Sequence, residues 1–237
     1  MTDQLTSRLA LPLVQAAQAQ KHVTVNESLA RLDGLVNLVL ISISRLEPPV
    51  AVVDGACFAI PLGAGKAWAG QDGKIAIASN GGWIFSEPQA GMRAFIADAG
   101  VNAVHDGTGW VEGAMTLGEG GSALVARTAE TEVIITSGPS VTTDLFIPNS
   151  AMVIGVTARV IEAIGGSLGS WRMGTAGALD RFGSGLGIQQ GAWARGMLSQ
   201  PVTYWQPEPI LLSATDGDFA SGNVRIAAHW LELTLPR

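Results

Sequence analysis

The segment Gly73–Phe85, GKIAIASNGGWIF, constrains the fold more tightly than any other stretch of the chain. Two runs rich in β-branched and aromatic residues flank Asn80-Gly81, a pair that tolerates the positive φ a tight primed hairpin turn requires. Asp106-Gly107 repeats the signal in AVHDGTGWVEG, and each turn is followed within four residues by a tryptophan, Trp83 and Trp110. A hairpin unit used twice is the direct reading, with both tryptophans filling a small β core. Composition extends it: 30 Gly and 11 Pro in 237 residues, with only 14% charged, suit short strands and tight turns better than long helices. At 47% hydrophobic, the chain can fill a core.

One stretch departs from this pattern. Val25, Leu29, Leu32, Val36, Val39, Ile43 and Leu46 are spaced four, three, four, three, four, three, which is a heptad seam. Thr24 and Glu27 read as a capping box at its start, and Pro48-Pro49 as its stop. The spacing predicts a helix whose Val25, Leu29, Leu32, Val36, Val39 and Ile43 gather copies of the chain. The same stripe would also serve a helix packed on its own domain, and Leu35, Leu38 and Leu40 widen it beyond a two-helix seam. Val14–His22, rich in Ala and Gln, reads as an arm suited to lying against another subunit or a particle surface.

Residues 1–48 are thus expected to form an arm and an oligomerising helix, and residues 49–115 a small antiparallel β-hairpin domain. Gly-rich residues 116–130, TLGEGGSALVARTAE, lack a sustained period and read as a linker. In residues 131–237, Met152, Ile154, Val156, Ala158 and Val160 alternate as a long half-buried strand, and PILLSA and NVRIAAHWLELTL supply more. The expected class is mainly β, ending in an antiparallel β-sandwich of jelly-roll type.

Several chemistries are disfavoured. The formal charge of −6, with Lys and Arg scattered, argues against nucleic acid. Cys57 is the only cysteine, so neither a disulfide framework nor a thiolate zinc site is expected, and no metal or cofactor is assigned. The apolar runs fall short of the roughly 20 residues of a membrane span. The start lacks the pattern of a secretory signal, so synthesis in a cytoplasm is expected. Gly165–Gly169 fits Gly-x-Ser-x-Gly, but SWRMGTAG follows where a nucleophile elbow needs a helix. Gly65-Lys66 lacks the remainder of a phosphate loop, and Asp216 and Asp218 fit a surface turn better than a calcium loop. No catalytic residue is assigned and a non-enzyme is expected. A polysaccharide-cleaving glycosidase, using two of Glu162, Asp180, Glu208, Asp216 and Asp218, is the catalytic alternative.

Aromatic placement is more informative. Trp171, Trp193, Tyr204 and Trp205 fall in or beside loop-like text, near Asp180, Arg181, Gln189, Gln190 and Arg195. Sugars present an apolar C–H face with a polar rim, which an indole plate beside charged or amide groups can receive. Trp171, Asp180, Arg181, Trp193, Arg195, Tyr204 and Trp205 are therefore the candidate carbohydrate-binding residues. The alternative is that these aromatics are ordinary sandwich core and subunit contacts.

LPLVQAAQAQKHVTVNESLARLD, GKIAIASNGGWIFSEPQAGMRAFIADAG and DGTGW together resemble a family from phages and gene transfer agents of α-proteobacteria, catalogued as a domain of unknown function. The resemblance spans about residues 10 to 112 and is most specific over Gln18–Glu27. RFGSGLG through DGDFASGNVRIAAHWLEL looks like the C-terminal domain that accompanies this family in gene transfer agent head spikes. The resemblance implies a structural and adhesive particle component, a head spike or fibre, with other particle proteins and the recipient cell's surface polysaccharide as partners. A homo-oligomer at the particle surface, pentamer or trimer, would suit that role. A purely structural connector is the non-adhesive alternative.

Overall fold

The computed structural model describes residues 4–15 and 21–237, and the chain divides into two compact units, Met1–Gly121 and Ser122–Arg237. The protein is mainly β.

The first unit holds helix α1 (Lys21–Leu35) and strands β1 (Val39–Leu40), β2 (Cys57–Ala59), β3 (Ile75–Ser79), β4 (Gly82–Ser86), β5 (Arg93–Ile96), β6 (Val101–His105), β7 (Trp110–Glu112) and β8 (Ala114–Leu117). Seven of these form one sheet in the order β4-β3-β2-β1-β5-β6-β7. The sheet is mixed rather than antiparallel throughout, because β1 runs parallel to both β2 and β5. Asn80 and Gly81, at φ 50° and 72°, make the expected tight turn between β3 and β4. The second hairpin differs. Asp106 Oδ1 accepts the backbone N–H groups of Thr108 (2.8 Å) and Gly109 (2.9 Å), closing a four-residue loop in place of a two-residue turn. Trp83 packs with Phe58 and Trp68 at ring separations of 5.9 and 5.2 Å, and Trp110 lies edge-on to buried His105.

The expected helix from Thr24 to Leu46 is cut short, and with it the single oligomerisation seam. It begins at Lys21, so Thr24 lies inside it, and Glu27 pairs with Arg31 (3.2 Å). Asn37, at φ 47°, takes the left-handed conformation that ends helices. Beyond it the apolar residues follow period 2: Leu38 and Leu40 are buried, Val39 and Ile41 exposed. Leu40 pairs with Cys57 and Ile96 at the centre of the sheet, a burial that a solvent-facing helix could not give it. The six seam residues therefore separate. Val25, Leu29, Leu32 and Val36 follow one face of the first turns to the helix end, with Val25, Leu32 and Val36 exposed. Val39 sits beside exposed Phe95, and Ile43 packs on the core. Residues 1–48 are not a separate element, since β1 is a central strand of the sheet.

The described part of the N-terminal arm docks on its own unit. Leu5 bridges Pro12, and Asn26 holds Val14 through two hydrogen bonds of 2.8 and 3.0 Å. Asp33, buried in α1, accepts the Thr6 hydroxyl (2.7 Å) and the N–H groups of Arg8 (3.0 Å) and Leu9 (2.6 Å). Arg8 in turn donates to the carbonyls of Asp33 (2.9 Å), Gly34 (2.7 Å) and Asn37 (2.8 Å), satisfying acceptors that a helix end leaves open. The rest of the predicted arm, residues 16–20, lies outside the described residues.

The second unit holds β9 (Ala123–Ile134), β10 (Ser140–Ile147), β11 (Met152–Gly166), β12 (Ser170–Thr175), β13 (Ala178–Leu186), β14 (Trp193–Thr203), β15 (Glu208–Thr215) and β16 (Phe219–Leu233). The expected linker is largely strand: β9 begins at Ala123, because Ala123, Val125 and Val133 bury side chains. Sheet neighbours run β10-β15-β12-β13 and β14-β11-β16-β9, the strand order of a jelly roll. Val156, Val160, Met173, Phe182, Leu212, Phe219 and Ile226, from both sheets, share one core. The predicted alternation along β11 is interrupted. A register shift between Val153 and Gly155 turns Ile154 outward and restores Val156, Ala158 and Val160 to the core.

Candidate functional site

Along β11 and β16 the buried Val156, Ala158, Val160, Val224, Ile226 and Ala228 alternate with residues on the opposite sheet face. Cross-strand pairing places those residues in rows. Trp193, Arg159, Arg225 and Glu132 lie side by side across four strands, and the next row is Arg195, Thr157, Ala227 and Glu130. The third row is Met197, Gly155, His229 and Thr128. Ala227 and Gly155 keep the middle of the face low, and between the taller side chains lies an open concavity of about 560 Å³.

The two halves of this face differ electrostatically. On one side Arg225 is held by Glu132, through its Nε at 3.1 Å and a second, shorter contact from its terminal nitrogen, with Glu130 at 3.8 Å. The hydrogen bonds from Arg225, then that from Asn223, hold the Glu132 carboxyl below its usual range. Along the third row, His229 bridges Thr128 (3.2 Å) and Thr157 (3.1 Å) through its two ring nitrogens, which fixes the imidazole in place. On the other side Trp193 is 64% exposed, and the Arg195 guanidinium lies 5.7 Å from its ring centroid. Arg159 and Arg195 make no salt bridge among the described residues.

The seven candidate residues do not form one site. Trp193 and Arg195 lie on this face. Trp171 is a correction: it is 2% exposed, its Nε1 donates to the Gly187 carbonyl (3.0 Å), and it fills the sandwich core where no ligand reaches its ring. Within its loop-like surroundings, SWRMGT is in fact β12, which pairs with β13 and β15 and places the indole in the core. Tyr204 and exposed Trp205 follow the far end of β14, about 25 Å from Trp193 as measured along the partner strand β11 at roughly 3.3 Å per residue. Asp180 and Arg181 are exposed on β13 of the other sheet. Burial pushes the Tyr204 phenol up, and the nearby Arg181 charge opposes that shift.

Sequence reasoning missed Arg159, Thr157, Arg225, Glu130 and Glu132. The signal was present in the alternation of VTARV and NVRIA, where polar residues interleave with core positions. The Gly-x-Ser-x-Gly segment forms a turn: Ser167 Oγ accepts the Asp218 N–H (3.0 Å), and strand β12 follows. Among the described residues no cluster of His, Cys, Asp and Glu is arranged to hold a metal, and no helix is long and apolar enough to cross a membrane.

The fold and this face define a jelly-roll unit with a concave, arginine-lined outer sheet, joined in sequence to a separate mixed-sheet unit. Residues 25–111, within the latter, match a family described as "Protein of unknown function (DUF2793)". No curated protein matches the chain. Among solved structures, a chain of the cyanophage Pam1 capsid asymmetric unit is similar over 45% of this chain and 84% of that one. It is 22% identical, with a TM-score of 0.35.

Proposed function

We propose that this protein is a non-enzymatic structural and adhesive subunit of a phage-like particle, a head spike or fibre, whose C-terminal unit binds host surface polysaccharide. The observation that carries the adhesive half is Trp193: a largely exposed indole beside Arg195, on the rim of a concave sheet face with fixed polar groups. An exposed indole costs little in stability at such a place and supplies the plate on which a sugar ring stacks. The particle itself is supplied by the sequence resemblance to gene transfer agent spikes.

In this reading the N-terminal unit contacts other particle proteins and further copies of the chain. Its exposed Val25, Leu32 and Val36 offer one apolar stripe for that contact. Repetition of the site in a pentamer or trimer would convert weak single-site affinity into firm attachment. The test compares binding of the purified chain to encapsulated cells and to capsule-free cells of the same strain. The expected result is capsule-dependent binding that weakens when Trp193→Ala is introduced. Equal binding to both cell types would favour a structural connector, and release of oligosaccharides from purified capsule would favour a glycosidase.

A further inference from the structure

We infer that the ligand of this face is an acidic polysaccharide, its carboxylates held by Arg159 and Arg195 while a sugar ring lies on Trp193. The inference rests on the proposed glycan-binding role and specifies its chemistry. Three arginines, Arg159, Arg195 and Arg225, crowd neighbouring positions of three adjacent strands. Arg159 is directly opposite Arg225, and like charges in that arrangement disfavour the sheet unless an anion lies between or beside them. Glu132 and Glu130 answer that need only for Arg225.

Among the described residues, Arg159 and Arg195 have no salt-bridge partner. They occupy diagonal positions on paired strands, at a backbone spacing of about 7–8 Å, within reach of one carboxylate or of two on successive sugars. Planar guanidinium groups recognise carboxylates through paired, charge-assisted hydrogen bonds. A neutral glycan has no group that would use both charges. The protein carries a net charge of −6, so its overall field repels acidic polymers. A local pair of arginines overcomes that repulsion at one place. The stacking plate and the cationic pair are contiguous, since Trp193 is the direct cross-strand neighbour of Arg159 and lies under Arg195.

The experiment measures binding of the full chain, by calorimetry at low salt, to hyaluronan, alginate and polygalacturonate, to the carboxyl-reduced form of each, and to oligothymidylate. At least one acidic polymer is expected to bind, with its reduced form roughly tenfold weaker. Arg195→Gln should remove that difference, and Trp193→Ala should weaken both forms. Raised salt should weaken the acidic polymer selectively in the unmodified protein, a readout that needs no variant. Equal binding of native and reduced polymers would overturn the acidic assignment and leave glycan binding standing. Binding of none of the polysaccharides would overturn both, and tighter binding of oligothymidylate than of any polysaccharide would make the face a nucleic-acid site.

Discussion

Replacing Asp33 with Ala should loosen the first unit from its N-terminal end. The carboxylate is 2% exposed and accepts three hydrogen bonds, from the Thr6 hydroxyl, the Arg8 N–H and the Leu9 N–H, at 2.6 to 3.0 Å. At about 1 kcal/mol net for each bond, the loss comes to about 3 kcal/mol, partly offset because the arm's donors can turn to water. With a urea slope of about 2 kcal/mol/M, a remaining loss of about 2–3 kcal/mol should lower the midpoint by about 1–1.5 M. Arg8→Ala should cost less, about 1–2 kcal/mol, because the carbonyls it leaves at the helix end lie nearer the surface. The assay is urea unfolding of the full chain followed by tryptophan fluorescence, with amide exchange of residues 4–15 and 21–35 as the local readout. The second unit's exchange should not change. If Asp33→Ala moves the midpoint by less than about 0.3 M and the arm's exchange is unaltered, the arm is not held by this carboxylate and the reasoning fails.

Trp171→Ala should destabilise the second unit by about 3–5 kcal/mol, as removal of a buried aromatic ring does, whereas Trp193→Ala should leave its thermal stability within about 0.5 kcal/mol of wild type. Differential scanning calorimetry separates the two, and equal effects would contradict their assignment to core and surface. Cys57 is 1% exposed, and burial pushes its thiol up to about 11. Ellman's reagent at pH 8 should therefore leave it unmodified in the folded protein and react fully in urea. Rapid reaction under native conditions would show that the β2 region opens.

The jelly roll was legible because its strands are long and alternate over much of their length, as in VTARV and NVRI, so the inward residues announce one face of a sandwich. The tight turn at Asn80-Gly81 was legible because few residue pairs accept positive φ twice in succession. The first unit misled at Leu38–Ile43, where apolar residues satisfy periods of both 3.5 and 2. The choice between them was made by Cys57 and Ile96, which lie far along the chain and receive Leu40 between them. For the same reason Asp33 carried no sequence signal: its partners Thr6, Arg8 and Leu9 are brought to it by the fold. At the site, Trp193 and Arg195 could be read from their proximity in the chain. Arg159 and Arg225 join them only through strand register, and Trp171 was misplaced because its glycine-rich neighbours belong to paired strands.

The central claim is that the Trp193 face, and no other aromatic of the second unit, receives the glycan. It is tested most directly by the indole N–H signals of the tryptophans in a heteronuclear NMR spectrum, assigned by single substitutions and titrated with capsule oligosaccharide. The account predicts a progressive shift of the Trp193 signal, with the buried Trp171 signal unmoved and the remote Trp205 signal little changed. A titration that moves Trp205 and leaves Trp193 in place, or that moves no indole at all, would contradict it.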